Sequence, residues 1–193
     1  MTRPHFVLAS SSPRRLALLA DVGLVPDKVV PAEIDETPRG KEKPCVLAQR
    51  LALEKMETVS CAEGLGAYVL AADTVVGVGR RILPKAKTVE DVRAFLKLMA
   101  GRRHHVYTGV ALKAPDGRVS SRVSDSTVIF RQLSVAEIEA YAETGEGIGK
   151  AGGYAIQGRA GLLIRYMAGS YSGIVGLPLF EVNQMLQGAG WHQ

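Results

Sequence analysis

Two carboxylates follow short apolar runs that the sequence predicts to be strands. Asp73 comes directly after the run Tyr68–Ala72, and Glu33 follows the run Val29–Ala32. In α/β sheets, functional groups gather where strands end at the carboxyl edge. Mg²⁺ takes oxygen ligands, usually from one or two carboxylates together with substrate phosphate. The two side chains are therefore candidates to share a divalent metal or to orient water, although Asp73 could instead cap a loop through its neighbour Thr74.

The segment Leu8–Arg15 has the features of a phosphate-binding turn. A strand ends, three serines follow, and Ser12-Pro13 starts a helix with an N-cap and a proline in the first turn. Free N–H groups and the helix dipole favour an anion there. Arg14 and Arg15 lie in that first turn, where cations are mildly unfavourable unless a bound anion compensates, and arginine binds phosphate bidentately. The alternative is a solvated helix start with surface arginines.

Two lysines are further candidates. Lys55 lies on the apolar stripe of a predicted helix, four residues after Leu51. Its stem could cover the core while its ammonium reaches solvent, or the ammonium could point into a cleft and meet phosphate. Lys85 follows a predicted hairpin, and it gains interest only if the fold brings it beside the other groups.

A glycine-rich segment precedes Gln157. Glycines from Gly145 to Gly158 would let the backbone approach a ligand closely. The amide of Gln157 offers one donor and one acceptor, which is what the edge of a pyrimidine ring requires. The alternative is a glycine-rich turn without a ligand. Walker A, G-x-G-x-x-G and G-x-S-x-G patterns are absent from the sequence.

The elements that must position these groups alternate between strand and helix patterns. Strands are expected at His5–Ala9, Val29–Ala32, Tyr68–Ala72, Val75–Val78, Arg81–Leu83, Val106–Lys113 and Val119–Phe130. Helices are expected to start at Ser12-Pro13, Pro44, Thr88, Ser134 and Pro178. This order predicts an α/β fold in which a mixed central sheet is flanked by helices. We expect one domain over residues 1–193, which could have two lobes.

Composition narrows the class of protein without choosing a function. The chain has 193 residues, of which 47% are hydrophobic and 22% charged, and no apolar run is long enough to span a bilayer. Cys45 and Cys61 are sixteen residues apart on one predicted helix, too far for a disulfide. We therefore expect a cytoplasmic protein with free thiols. The net charge of +5 suits an anionic partner, either a small polyanion or a nucleic acid.

Taken together, four segments resemble the Maf family. They run in family order across nearly the whole chain: LASSSPRR at 8–15, AADTVV at 71–76, GKAGGYAIQG at 149–158 and GSYSGIVGLPL at 169–179. The resemblance implies a Maf/ITPase-like fold with two lobes around a cleft, usually a homodimer. It also implies metal-dependent hydrolysis of nucleoside triphosphates to the monophosphate and pyrophosphate, with Mg²⁺ or Mn²⁺ as the cofactor and no specific nucleic acid or membrane as partner.

The resemblance also implies roles for the candidate residues. Asp73 matches the catalytic carboxylate and would be a metal ligand together with Glu33. Lys55 and Lys85 match the other catalytic polar groups of the family site.

Substrate-binding roles follow in the same way. Ser10, Arg14 and Arg15 match the phosphate-binding turn of the family. Arg14, Thr74 and Gln157 are similar to those of the branch that acts on dTTP and UTP, and the activity is expected to clear non-standard nucleotides. Two alternatives stay open at this point. One is a pyrophosphatase for 7-methyl-GTP or another modified nucleotide, and the other is a septum-formation inhibitor that acts by binding.

Overall fold

A seven-stranded mixed sheet forms the centre of the computed structural model, which describes residues 5–63 and 66–191. The strands are β1 (His5–Ala9), β2 (Lys28–Val29), β3 (Ala67–Val78), β4 (Arg81–Leu83), β5 (Arg103–Lys113), β6 (Val119–Phe130) and β7 (Ile164–Ala168). The helices are α1 (Pro13–Asp21), α2 (Pro44–Glu63), α3 (Val89–Met99), α4 (Val135–Ala142), α5 (Tyr171–Val175) and α6 (Leu179–Gly188), with a 3-10 helix at Arg159–Leu162. The expected α/β fold is confirmed.

The strands run in the order β2-β1-β3-β5-β6-β7, and β4 pairs with the end of β3. β1 is parallel to both β2 and β3, whereas β3, β4, β5, β6 and β7 pair with one another in antiparallel fashion. The sheet is mixed because the chain first crosses over through α1 and α2 to give parallel neighbours, whereas β3 to β7 are laid down as antiparallel neighbours, with β3–β4 and β5–β6 joined as hairpins.

β1 is shorter than β3, and this difference leaves an opening in the sheet beside the second half of β3. The parallel pairing of β1 with β3 stops at Ala9 and Ala71. β3 continues to Val78 with β5 on its other side, so Asp73 lies within a strand and not after the end of one. The expected strand end at Ala72 is corrected in this respect. Asp73 faces the opening because its neighbouring strand ends, not because its own strand does.

Helix α2 packs closely against the sheet at two glycines. A Cβ added at Gly109 would overlap the backbone carbonyl of Ala48, and one added at Gly77 would lie 2.9 Å from the ring of Pro44. Gly109 is the partner of Asp73 across the β3–β5 ladder. The absence of a side chain at Gly109 therefore lets the helix that carries Lys55 lie directly over the strand that carries Asp73.

Buried side chains form separate clusters on the two sides of the opening. One cluster joins α3 and α4 to the distal part of the sheet, around Leu96, Phe130 and Tyr154. The clusters on the other side pack β1 and the first half of β3 against α2 on one face, and against α1 and α6 on the opposite face. Together the clusters give two halves around a cleft.

The remaining differences from the expected elements are local. β2 is only two residues long, and the expected strand at Val29–Ala32 continues as an irregular segment. β7, the 3-10 helix and α5 lie in residues 159–177, for which the sequence patterns predicted no element. Cys45 and Cys61 are free cysteines. Within residues 5–63 and 66–191, every helix is too short or too polar to cross a membrane.

The close packing at Gly109 predicts a stability effect. Gly109→Ala should lower the free energy of unfolding by about 1–3 kcal/mol, because the added methyl group pushes α2 away from the sheet. Gly188→Ala is the matched control: no atom lies within 4 Å of the position of its Cβ, so alanine should leave stability unchanged or raise it by up to about 1 kcal/mol. Urea unfolding measures both, and equal stability of the two variants would contradict the close packing.

Candidate active site

A cavity of about 440 Å³ lies where β1 ends beside β3. Its lining comes from many parts of the chain: the turn before α1, the loop before α2, α2 itself, the middle of β3, the segment after β4, β5, the glycine-rich segment after α4, and the end of α5. Its charged lining residues are Arg14, Arg15, Glu36, Lys55, Asp73, Lys85 and Lys150. Residues far apart in the sequence are thus brought to one place.

Lys55 connects two carboxylates at the centre of the cavity. Its Nζ donates to Asp73 Oδ1 at 2.5 Å and to Glu36 Oε1 at 2.6 Å. Lys55 and Asp73 are both buried, with 7% and 4% of their surface exposed. The ammonium therefore points into the cleft and does not reach along the core to solvent, and its contact with phosphate stays a prediction. A buried charge of either sign is tolerated only when it is paired, and here each supplies the partner of the other.

Lys85 approaches the same cluster from the opposite side. Its Nζ donates to Glu36 Oε2 at 2.5 Å, and its side chain is about half exposed. Burial alone would raise the pKa of Glu36, but the hydrogen bonds from Lys55 and Lys85 outweigh it and lower that pKa to about 2. Glu36 is therefore an anion at neutral pH.

Glu36 takes the place that the sequence analysis expected for Glu33. Glu33 is exposed and does not line the cavity. Exposure alternates along this segment: Ala32 and Ile34 pack against the core, so Glu36 faces inward on the same side while Glu33 faces outward. The expected position of the second carboxylate is corrected by three residues, and the alternation seen at Ala32 and Ile34 is the signal that would have found it.

The turn before α1 has the predicted helix start, but the Ser12 side chain makes no capping hydrogen bond. Ser12 is the N-cap and Pro13 the first helical residue. Arg15 is enclosed by protein acceptors, because its guanidinium donates to Gly176 O at 2.8 Å, Ser10 Oγ at 3.2 Å and Thr74 Oγ1 at 3.4 Å. Burial lowers the pKa of Arg15, while the negative charge of Asp73 opposes that effect. Arg15 therefore fixes the shape of the turn.

Arg14 is disposed differently from its neighbour. It lines the cavity, and within the part of the chain that the structure describes it has no salt bridge or side-chain hydrogen bond. Burial lowers its pKa. A half-buried guanidinium without a protein partner is the kind of group that an incoming anion stabilises.

Thr74 points to the opposite face of β3 from Asp73. Thr108, which the sequence analysis missed, donates from its hydroxyl to Gly173 O at 2.7 Å. The Thr108 oxygen therefore accepts the proton of Thr74, which lies 3.0 Å away, and Thr74 in turn accepts from Arg15. Because the Thr74 proton is donated to Thr108, the Thr74 oxygen is free to accept from Arg15 and helps to hold it in place.

The glycine-rich segment reaches the cavity through a series of tight turns. Gly149, Gly152 and Gly153 have φ of +75°, +69° and +72°, which only glycine adopts without strain. An isolated bridge pairs Lys85 with Ala151, so the segment lies beside the acid–lysine cluster. Gln157 lines the cavity at its exposed edge. The segment therefore joins the predicted base-reading residue to the predicted chemical centre.

Lys150 is a second residue that the sequence analysis missed. It lines the cavity, and both burial and the nearby positive charge of Arg14 lower its pKa. Its position within the glycine-rich segment could have indicated a site residue, but one lysine among glycines is usually a surface residue. Two cations held close together indicate that an anion belongs between them or beside them.

Behind the cavity, Tyr154 is held by a buried histidine. Tyr154 OH and His104 Nε2 are 2.8 Å apart, and burial lowers the pKa of His104 to about 4. His104 is therefore neutral at pH 7. It supports the cavity wall without adding charge.

The charges of the cavity are matched in one part and unmatched in another. Glu36 and Asp73 are the two acidic lining residues, and Lys55 and Lys85 pair with them. Arg14, Arg15 and Lys150 then have no acidic counterpart in the lining. The arrangement suits a polyanion whose reacting atom lies beside Asp73.

Comparisons with known proteins find relatives that cover nearly the whole chain. The family described as Maf-like protein matches residues 5–189. A dTTP/UTP pyrophosphatase of Caulobacter vibrioides is 56% identical over 188 residues, which cover 97% of each chain. Another, of Gluconobacter oxydans, is 54% identical over 190 residues, covering 96% of this chain and 87% of the relative. The structure of the Staphylococcus aureus Ham1 protein superposes with a TM-score of 0.56 over 95% of this chain and 98% of that one; at 14% identity the likeness concerns the fold alone.

The buried pairing of Lys55 predicts a pattern of stabilities. Lys55→Met should lower the free energy of unfolding by about 3–5 kcal/mol, because it leaves Asp73 buried without its cation. The double variant Lys55→Met/Asp73→Asn should recover most of this loss. Lys85→Met is the control: its pair is half exposed, so the loss should stay below about 1 kcal/mol. Urea unfolding without nucleotide measures all three, and equal effects of the two lysines would refute the buried pairing.

Proposed function

Because this chain belongs to the Maf family, we propose that it is a nucleoside triphosphate pyrophosphatase that hydrolyses dTTP and UTP to the monophosphate and pyrophosphate. The observation that carries the proposal is the acid–lysine cluster of Asp73, Lys55 and Glu36 beside the turn at Ser10–Arg15, within one cavity. A carboxylate for water and a cation-rich site for phosphates are the two parts that such a hydrolysis needs.

A divalent cation, Mg²⁺ or Mn²⁺, fits this site. Among the described residues no group of three or more acidic, His or Cys side chains is placed to bind a metal alone. Asp73 and Glu36 nevertheless lie close together, since both accept from Lys55 Nζ, and each carboxylate has further lone pairs beside that ammonium. Two carboxylates completed by substrate phosphates suit Mg²⁺. Asp73 and Glu36 would hold the ion, which when bound would polarise the triphosphate.

The side chains of this chain then account for the rest of the reaction. Asp73 accepts a proton from water as the water oxygen bonds to the α-phosphorus. The bond from that phosphorus to the bridging oxygen breaks, and pyrophosphate leaves with the electron pair. Lys55 and Lys85 offset negative charge on the phosphate oxygens, while Arg14 and Lys150 bind the phosphates that leave. Ser10 and Arg15 keep the turn in the shape that receives them.

Base choice is assigned to the exposed edge of the cavity. The Gln157 amide presents one donor and one acceptor to a pyrimidine, and Arg14 lies on the same cavity. Thr74 contributes through Arg15, which it helps to hold. None of these three side chains distinguishes thymine from uracil by an evident contact, so we expect similar hydrolysis of dTTP and UTP.

We also propose a setting for the enzyme. It acts in the cytoplasm on free nucleotides and clears non-standard ones, as one domain over residues 1–193 that assembles as a homodimer. Size-exclusion chromatography with light scattering measures the assembly, and a monomer at micromolar concentration would remove that part of the proposal alone.

A substrate panel tests the proposed function. Purified protein is incubated with Mg²⁺ or Mn²⁺ and dTTP, UTP, 7-methyl-GTP, dATP or GTP, and pyrophosphate and orthophosphate are detected separately. We expect pyrophosphate from dTTP and UTP. Orthophosphate as the product would indicate a different bond cleavage, preference for 7-methyl-GTP would move the chain to another substrate class, and no hydrolysis at all would favour a binding protein.

Asp73→Asn should abolish turnover without unfolding the protein. The amide neither accepts the proton of water nor binds a metal well, so kcat/KM should fall by far more than about tenfold, which corresponds to about 1.4 kcal/mol of barrier. Asp125→Asn, at an exposed aspartate of β6, controls for the loss of a negative charge. Circular dichroism checks the fold, and a loss smaller than about tenfold would remove Asp73 from the mechanism.

Gln157→Glu should change base preference. The wild type should hydrolyse dTTP and UTP at least about tenfold better than dATP and GTP, since an unpaired polar group in a wrong complex costs about 1–3 kcal/mol. The carboxylate of the variant loses a donor and repels the carbonyl groups of the base, so kcat/KM for dTTP and UTP should fall selectively.

The control for this added charge is Gln187→Glu at an exposed position of α6. It should leave kcat/KM for all four nucleotides unchanged. If Gln157→Glu lowers all four equally, Gln157 is not the residue that reads the base.

A further inference from the structure

Glu36 lies in a loop that has little regular structure of its own. Residues 30–43 connect β2 to α2 without a helix or strand, and only Ala32 and Ile34 of this stretch, besides Val30 at its start, pack against the hydrophobic clusters. Ordering such a segment costs conformational entropy, which local interactions must offset. Lys55 and Lys85 hold the Glu36 carboxylate itself, but they do not hold the backbone that follows it.

Arg50 of α2 supplies that support. Its Nη2 donates to the backbone carbonyl of Thr37, the residue after Glu36, at 3.1 Å. Nε and Nη2 also donate to the two oxygens of Glu42 at 2.8 and 2.9 Å, and Nη1 donates to Glu54 at 3.1 Å. Every nitrogen of the guanidinium therefore has an acceptor, and two of the three acceptor residues belong to the loop.

The support is buried and specific. The side chains of Arg50 and Glu42 are only 12% and 7% exposed. Glu42 also accepts the backbone N–H of Arg39 at 2.9 Å. A single carboxylate therefore joins two parts of the loop to each other and to α2. A planar fork of five donors matches this set of acceptors, whereas the ammonium of a lysine offers three donors around one point.

The same helix carries Lys55, one residue after Glu54. Arg50 thus ties the Glu36 loop to the element that also positions the partner of Asp73. We propose that Arg50 is a positioning residue that keeps Glu36 in the cavity and thereby sets the arrangement of Glu36, Lys55 and Asp73. The catalytic consequence rests on the proposed function, whereas the structural consequence does not.

The first test uses hydrogen exchange without nucleotide. In Arg50→Lys and Arg50→Met, backbone amides of residues 31–43 should exchange at least about tenfold faster than in the wild type, as a loop that loses its anchors opens locally. Exchange in β3 and β5 should stay the same. Arg93→Met is the control, because Arg93 pairs with Glu90 and Glu139 away from the cavity. Unchanged exchange of residues 31–43 in both Arg50 variants would overturn the proposal.

The second test is a double-mutant cycle on activity. Arg50→Lys should lower kcat/KM for dTTP by about 10–100-fold, the range observed when an outer residue that orients a ligand is lost, and mainly through kcat. In a Glu36→Gln background the same change should cost less than about twofold, because Arg50 acts through Glu36. Arg50→Lys should retain more activity than Arg50→Met, and Arg93→Met should match the wild type.

The outcomes separate the two proposals. If the wild type is active and Arg50→Lys costs the same factor in the wild-type and in the Glu36→Gln background, the positioning role is overturned. A wild type that releases no pyrophosphate from any nucleotide would overturn the proposed function. In that case the exchange of residues 31–43 alone decides whether Arg50 holds the loop. Each assay is run well below the melting temperature of every variant, so loss of folding does not imitate either result.

Discussion

The ammonium of Lys55 is the interaction on which the site depends. It is buried, and it donates to two carboxylates that come from different parts of the chain, Asp73 of β3 and Glu36 of the loop before α2. Without a cation between them, two carboxylates this close would repel each other. The ammonium of Lys55 offsets the negative charge of both at the place where the proposed metal and triphosphate would bind.

Several features of the fold serve to place that ammonium. α2 reaches Asp73 because Gly109, the cross-strand partner of Asp73, has no side chain to hold the helix away. Asp73 is open to the cavity because β1 stops at Ala9. The same early end of β1 starts the turn that carries Ser10 and Arg15. One short strand therefore produces both the opening and the turn that we propose binds phosphate.

The parts that followed from the sequence are those with strong local signals. We predicted two helix starts, the hairpin around Gly79 and the buried stripe of α2, because the rules for capping, turns and periodicity are local. The two helix starts are at Ser12-Pro13 and Ser134. Glu36 was not predicted, because the alternation that marks it covers only Ala32 and Ile34 and lies in a segment without regular structure. Lys150 and Thr108 were missed since only tertiary packing brings them to the cavity and its supporting hydrogen bonds.

The balance of charge in the cavity has a consequence for substrate entry. Lys55 and Lys85 are already paired with Asp73 and Glu36, so the field felt by an approaching anion comes mainly from Arg14, Arg15 and Lys150. Arg15 is held by protein acceptors, which leaves Arg14 and Lys150 as the lining cations without an acidic partner in the cavity. Their mutual repulsion would be relieved by an anion bound between them, so such binding is favoured. In the proposed reaction, the acid–lysine cluster would respond to the charge that develops as the bond to the leaving pyrophosphate breaks, which is the moment at which stabilisation accelerates a reaction.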